Sequence, residues 1–216
     1  MEGIAVAPSR LSLRALMAAL AAGAALGFLG PLLETTDSSA GHIAHLVLAA
    51  GWSWAACAFL VGLARKSRIE SATFAPASLI TGVIAYYGTK LAQGEFLSAD
   101  LDDPSQGAHV HWVGFVSKTV GWCVAACVLG LVLGLAGNLA RNRGLRGLPF
   151  RALIPVVAIV ETSQRLRFES SLQGTLASTT WTVVCLLAAA ALIVLVGDTL
   201  INWWPRRSVG QRENGA

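Results

Sequence analysis

Apolar stretches long enough to cross a bilayer recur along this chain, and no other property limits its fold so tightly. A helix that spans the hydrocarbon core needs about 20 predominantly apolar residues. Runs of that order extend from about Ala15 to Leu33, His42 to Ala64, Ala72 to Ala92, His111 to Ala140 and Thr175 to Trp204. With 55% hydrophobic and only 13% charged residues, the 216-residue chain lies far from a soluble domain, which carries about 25% charge. The stretch from Leu148 differs. Arg151 interrupts it, and after Val160 it turns polar through Glu161-Thr162-Ser163-Gln164-Arg165-Leu166-Arg167 before it could have crossed. Counted as a short fifth span, it completes six. The expected fold is an all-α integral membrane protein, a compact bundle of six transmembrane helices.

Orientation follows from the basic residues. Of the sixteen Lys and Arg, twelve fall on one side: Arg10, Arg14, Arg65, Lys66, Arg68, Arg141, Arg143, Arg146, Arg151, Arg206, Arg207 and Arg212. The positive-inside rule makes that side cytoplasmic, so both termini are expected inside. The first apolar stretch follows Arg10 and Arg14 as in a signal peptide. It is long enough to span, however, and Gly30-Pro31 ends it without a small-x-small cleavage pattern, so it reads as the first helix. The organisation is then a cytoplasmic tail at 1–14, a transmembrane domain at 15–204 and a cytoplasmic tail at 205–216, in the cell membrane. Gly23/Gly27 and Gly130/Gly134 are spaced for close helix contact. Pro76 is expected in the first turn of the third span, where its missing N–H is tolerated. The four cysteines lie inside apolar runs and read as small hydrophobes.

Polar groups collect in the outer half. His42, His45, His109 and His111 all lie there, with most of the acids. Histidines at an interface are read as amphipathic end residues, because no metal-binding spacing accompanies them. No metal and no other cofactor are expected. Asp100-Leu101-Asp102-Asp103 resembles a magnesium diphosphate motif only superficially, since Pro104-Ser105-Gln106-Gly107 places it in a turn-rich solvated loop. Glu161 is the residue that demands an explanation. At ~1.5 Å per residue it lies roughly 15–20 Å from the inner edge of a core ~30 Å thick. An acid at that depth is costly unless it faces protein or a wet cavity, and so marks a candidate site. Arg165, at i+4, could simply neutralise it. Alternatively, low dielectric keeps such a carboxyl protonated, which suits it to proton donation. Lys118 follows His111 by two turns, so the two share one face of the fourth helix, which continues to Trp122. Aromatic rings within the spans stabilise cations without attacking them, as carbocation chemistry requires.

A compact Ala/Gly/Leu-rich chain of this length, with intramembrane acids and aromatics, resembles the small integral-membrane terpene cyclases of actinomycete meroterpenoid pathways, of the indole-sesquiterpene and drimentine types. The resemblance is one of size, composition and layout over the whole chain. It implies a metal-independent cyclase that protonates an alkene or epoxide of a lipophilic prenylated substrate arriving laterally from the bilayer. Glu161 is the preferred acid, with Glu34 and Asp100 as further candidates. Arg165, Gln164 and Lys118 would orient polar parts of the substrate, and Trp52, Trp112, Trp122, Tyr86 and Tyr87 would line the cavity. The membrane and the substrate are the expected partners, with no nucleic acid. Two other readings fit the same layout: an outward-facing small-molecule binding subunit of a membrane transporter, and a structural membrane protein whose charge pairs hold the bundle together.

Overall fold

The computed structural model describes residues 10–99, 108–142, 144–168 and 170–203. They form seven helices and a two-stranded ribbon: α1 (Arg10–Glu34), α2 (Ser39–Ala49), α3 (Gly51–Leu63), α4 (Arg68–Ala92), β1 (Leu97–Ala99), β2 (Ala108–Val110), α5 (Trp112–Leu139), α6 (Leu148–Phe168) and α7 (Ser170–Trp203). Local chemistry sets most of the boundaries. Ser38 and Ser67 cap α2 and α4 by accepting from Gly41 N and Glu70 N, and the His111 ring nitrogen Nδ1 caps α5 by accepting from Gly114 N. β1 and β2 pair antiparallel, with Ser98 opposite His109, and form the α4–α5 connection. Gly174 takes φ +78, ψ 179 near the start of α7, a conformation that only glycine adopts readily.

Among the described residues, α1, α4, α5 and α7 are long and apolar enough to cross a membrane, and α2 with α3 forms a fifth candidate bent by 62°. Of the six expected spans, four are therefore continuous apolar helices and the second is a broken pair. The expected fifth, α6, is a continuous 21-residue helix, but Arg151, Glu161, Arg165 and Arg167 keep it out of the apolar set. Pro76 lies well inside α4, because that helix begins at Arg68 rather than Ala72. Leu186, Leu187, Ile193 and Val194 on α7 are between 65% and 72% exposed, and α5 exposes a comparable apolar face. Apolar surface on this scale belongs against lipid. The protein is a membrane-embedded helical bundle.

The centre of the bundle is α4. Its Ala75, Leu79 and Val83 form one buried cluster with Ala58 of α3 and Ala126 of α5. Small residues let backbones touch here, as the glycine spacings predict. A Cβ on Gly27 would collide with the carbonyl of Gly82, and one on Gly134 would meet Ser71 O and Ala75 Cβ. Ser78 Oγ donates to Ala19 O at 2.7 Å and Ser71 Oγ to Gly62 O at 3.1 Å, which laces α4 to α1 and α3.

The two ends of the bundle differ in chemistry. At the basic end the cations serve as helix C-caps: Arg141 Nη1 donates to Leu63 O at 3.0 Å, and Arg151 Nε donates to Ala140 O at 2.9 Å. Positive charge at these C-termini also opposes the helix dipoles. At the opposite end, which carries the ribbon, Lys90 Nζ pairs with Glu34 at 2.6 Å and with Glu95, and Gln93 Nε2 donates to Pro31 O at 3.0 Å. These contacts tie α1 to α4.

Candidate functional site

The second span breaks at Ala50, which is fully buried and extended (φ −69, ψ 142). In an unbroken helix Gly51 N and Trp52 N would donate to Val47 O and Leu48 O, four residues back. Inside a membrane those four groups must find other partners. Both carbonyls are recovered locally: Ser53 Oγ donates to Val47 O, and Trp54 Nε1 donates to Leu48 O at 3.1 Å. Both amides are recovered from a distance. Gly51 N donates to Glu161 Oε1 at 2.9 Å and Trp52 N to Glu161 Oε2 at 2.7 Å. The Glu161 carboxylate on α6 is thus the N-cap group of α3, placed where the helix dipole favours negative charge. Arg165, one turn further along α6, donates to Oε1 through Nε and Nη2 at 3.2 and 3.1 Å. Its guanidinium lies 4.9 Å from the ring centroid of Trp181, which is buried.

A cavity of about 450 Å³ adjoins this junction. Trp54 and Gly51 line it from α3, Leu79, Val83, Tyr86 and Tyr87 from α4, Trp122, Ala126, Leu129 and Leu133 from α5, and Glu161 and Arg165 from α6. Trp54 meets Tyr86 edge-on at 6.2 Å, and Tyr86 meets Tyr87 edge-on at 5.3 Å. These edge-to-face contacts hold the rings in fixed orientations. One end of the cavity is therefore an ion pair and the rest is aromatic and aliphatic. The ion pair brings no net charge.

The expected site residues divide. Glu161, Arg165, Tyr86, Tyr87 and Trp122 come together in the lining. Trp52 does not, because on α3 it points about 100° away from Gly51 and lies instead beside Ala50, Ala177 and Trp181. Trp112 is 59% exposed at the start of α5. Lys118 is also exposed, its Nζ 5.7 Å from the Phe96 ring, and Gln164 is exposed on α6. Glu34 is engaged by Lys90 at the ribbon end. Asp100 and its acidic loop lie outside the described residues. Of the aromatic residues that line the cavity, the one that sequence reasoning passed over is Trp54. Its signal was the Gly51-Trp52-Ser53-Trp54 sequence, which holds both side chains that repair the helix break.

No match to the chain was found among family models, curated proteins or solved structures. The site must be read from its own chemistry.

Glu161 accepts at both oxygens from four N–H donors. Donating a proton would require it to be protonated first and to give up part of this arrangement. No group of three His, Cys, Asp or Glu that could hold a metal ion occurs among the described residues. His45 and His111 each commit Nδ1 to a backbone group, at Gly30 O and Gly114 N.

Proposed function

We propose that the protein is a six-span protein of the cell membrane, with its basic end and both termini cytoplasmic. Its cavity binds a lipophilic small molecule without transforming it, in the manner of the substrate-binding subunit of a transporter. The observation that carries this reading is the Glu161 carboxylate, engaged as an acceptor by Gly51, Trp52 and Arg165 beside an aromatic-walled cavity. Cavities of about 300–1,000 Å³ with apolar walls and a few placed polar groups are the usual form of small-molecule sites. A broken helix at membrane depth is also a recurrent element of transporter binding sites. The test is to purify the protein in lipid nanodiscs and extract it for mass spectrometry beside Ala125→Trp, which fills the cavity. The expected result is a small hydrophobic molecule retained by the native chain and lost from the variant. Identical extracts would overturn the reading.

The second reading is the acid-initiated terpene cyclase. It is favoured by an acid that lines the same cavity as four rings, Trp54, Tyr86, Tyr87 and Trp122, an environment suited to carbocations. It requires a Glu161 that releases α3 on protonation. Incubation of membrane fractions with a prenylated epoxide, followed by product analysis, decides between the two. Cyclised product formed by the native chain and absent with Glu161→Gln would establish the cyclase.

A further inference from the structure

Two residues of the cavity wall on α5 also face outward, while Ala126 between them is buried. Trp122 and Leu129 line the cavity and are 57% and 52% exposed. Leu79 and Val83, which line it from α4, are 4% and 5% exposed. Trp122 and Leu129 thus stand at the cavity's edge, where its wall meets the outer surface. Helix packing shows where the mouth lies. α5 packs along α4 and α3, α6 packs along α7, and contact between α5 and α6 is sparse. The cluster that these two helices share, Ala136 and Ala140 with Phe150 and Ile154 packed against it, sits at the basic end. Beyond it the cavity separates Trp122 and Leu129 on α5 from Glu161 and Arg165 on α6.

Depth decides what lies outside the mouth. Trp122 and Leu129 are roughly 15 and 25 Å along α5 from its start at Trp112, at ~1.5 Å per residue. That interval falls inside a hydrocarbon core ~30 Å thick rather than at its aqueous edge. Val124 and Val128, on the opposite face of α5, are 60% and 57% exposed and give that face to lipid.

We infer that the ligand reaches the cavity from the lipid phase, through the slot between α5 and α6 and past Trp122. It is accordingly a membrane-dissolved amphiphile with an apolar body and one neutral hydrogen-bonding head. The apolar body lies against the rings of Trp54 and Tyr86. The head meets the Glu161–Arg165 pair, whose charges already balance. This inference rests on the binding reading of the cavity and adds to it the route and the class of ligand.

The experiment uses the full chain in nanodiscs and two photoreactive probes: a long-chain alcohol carrying a mid-chain diazirine, and a short water-soluble diazirine carboxylate. Carbene insertion needs no ionised side chain, so the low dielectric does not bias it. Adducts are mapped by peptide mass spectrometry. The alcohol should label Leu79 and Val83 on the far wall. Labelling should rise severalfold in Trp122→Ala and in Leu129→Ala, and should be lost in Ala125→Trp. Adducts confined to Val124, Val128 and other outward residues would show the slot closed and overturn the inference. Cavity labelling by the water-soluble carboxylate in preference to the alcohol would overturn it as well, by placing the route in the aqueous phase. Failure of the binding reading looks different, because the extracts of native chain and Ala125→Trp would then match whatever the probes label.

Discussion

Glu161 joins two kinds of stabilisation that are usually separate, a helix cap and an ion pair. Its side chain is 21% exposed and that of Arg165 28%, so the pair is screened more than a fully buried one. Breaking a fully buried pair by removing one partner costs about 3–5 kcal/mol. With partial exposure, and with Gly51 N and Trp52 N also orphaned, Glu161→Ala should destabilise the protein by about 2 kcal/mol. Glu161→Gln keeps an acceptor oxygen for one of the two amides and should cost less. Denaturant unfolding in detergent measures both. An alanine variant as stable as the native chain would remove Glu161 from the account of the helix break. Ser53 and Trp54 do the complementary work on the carbonyl side, so the break is repaired by three side chains, two of them local.

At the scale of elements, the bundle is held by close backbone approach rather than by large interlocking side chains. α4 carries the small residues Ser71, Ala75 and Ser78 toward its neighbours, all of them fully buried. Gly134 of α5 faces Ser71 and Ala75, and it lies against Gly62 of α3 as well. Gly134→Val should separate three helices at once and cost more than the ~1–3 kcal/mol typical of overpacking. The expected result is loss of the monodisperse species in size-exclusion chromatography. Gly88, also helical, has nothing within 4 Å of a Cβ position. Gly88→Ala should therefore be neutral, or stabilising by about 0.5–1 kcal/mol through helix propensity. A similar response to both substitutions would mean that the seam is not what holds α3, α4 and α5.

At the scale of the whole molecule, the asymmetry between the two ends sets the expected orientation. In a cysteine-free background, Asp37→Cys in the α1–α2 connection should react with an impermeant reagent from outside intact cells, and Asn142→Cys should not. Both positions are exposed and neither side chain caps a helix, unlike Ser38 and Ser67. Labelling at position 142 from outside would invert the assignment. Much of this molecule was legible from its sequence. Hydropathy located α1, α4, α5 and α7 and the run that holds α2 and α3, glycine spacing marked the close-contact faces of α1 and α5, and the expected depth of Glu161 singled it out together with Arg165. Each of these depends on neighbours along the chain, through periodicity, length and local charge. The break at Ala50 was not legible, since no proline marks it and the run from His42 to Ala64 is apolar throughout. Nor was the choice of Trp54 over Trp52 for the cavity, or the use of Glu161 as the cap of a helix 110 residues away. Those features were decided by tertiary structure. A buried amide without a helical acceptor takes whichever carboxylate the packing of α6 against α3 brings within reach, and only the folded chain sets that distance.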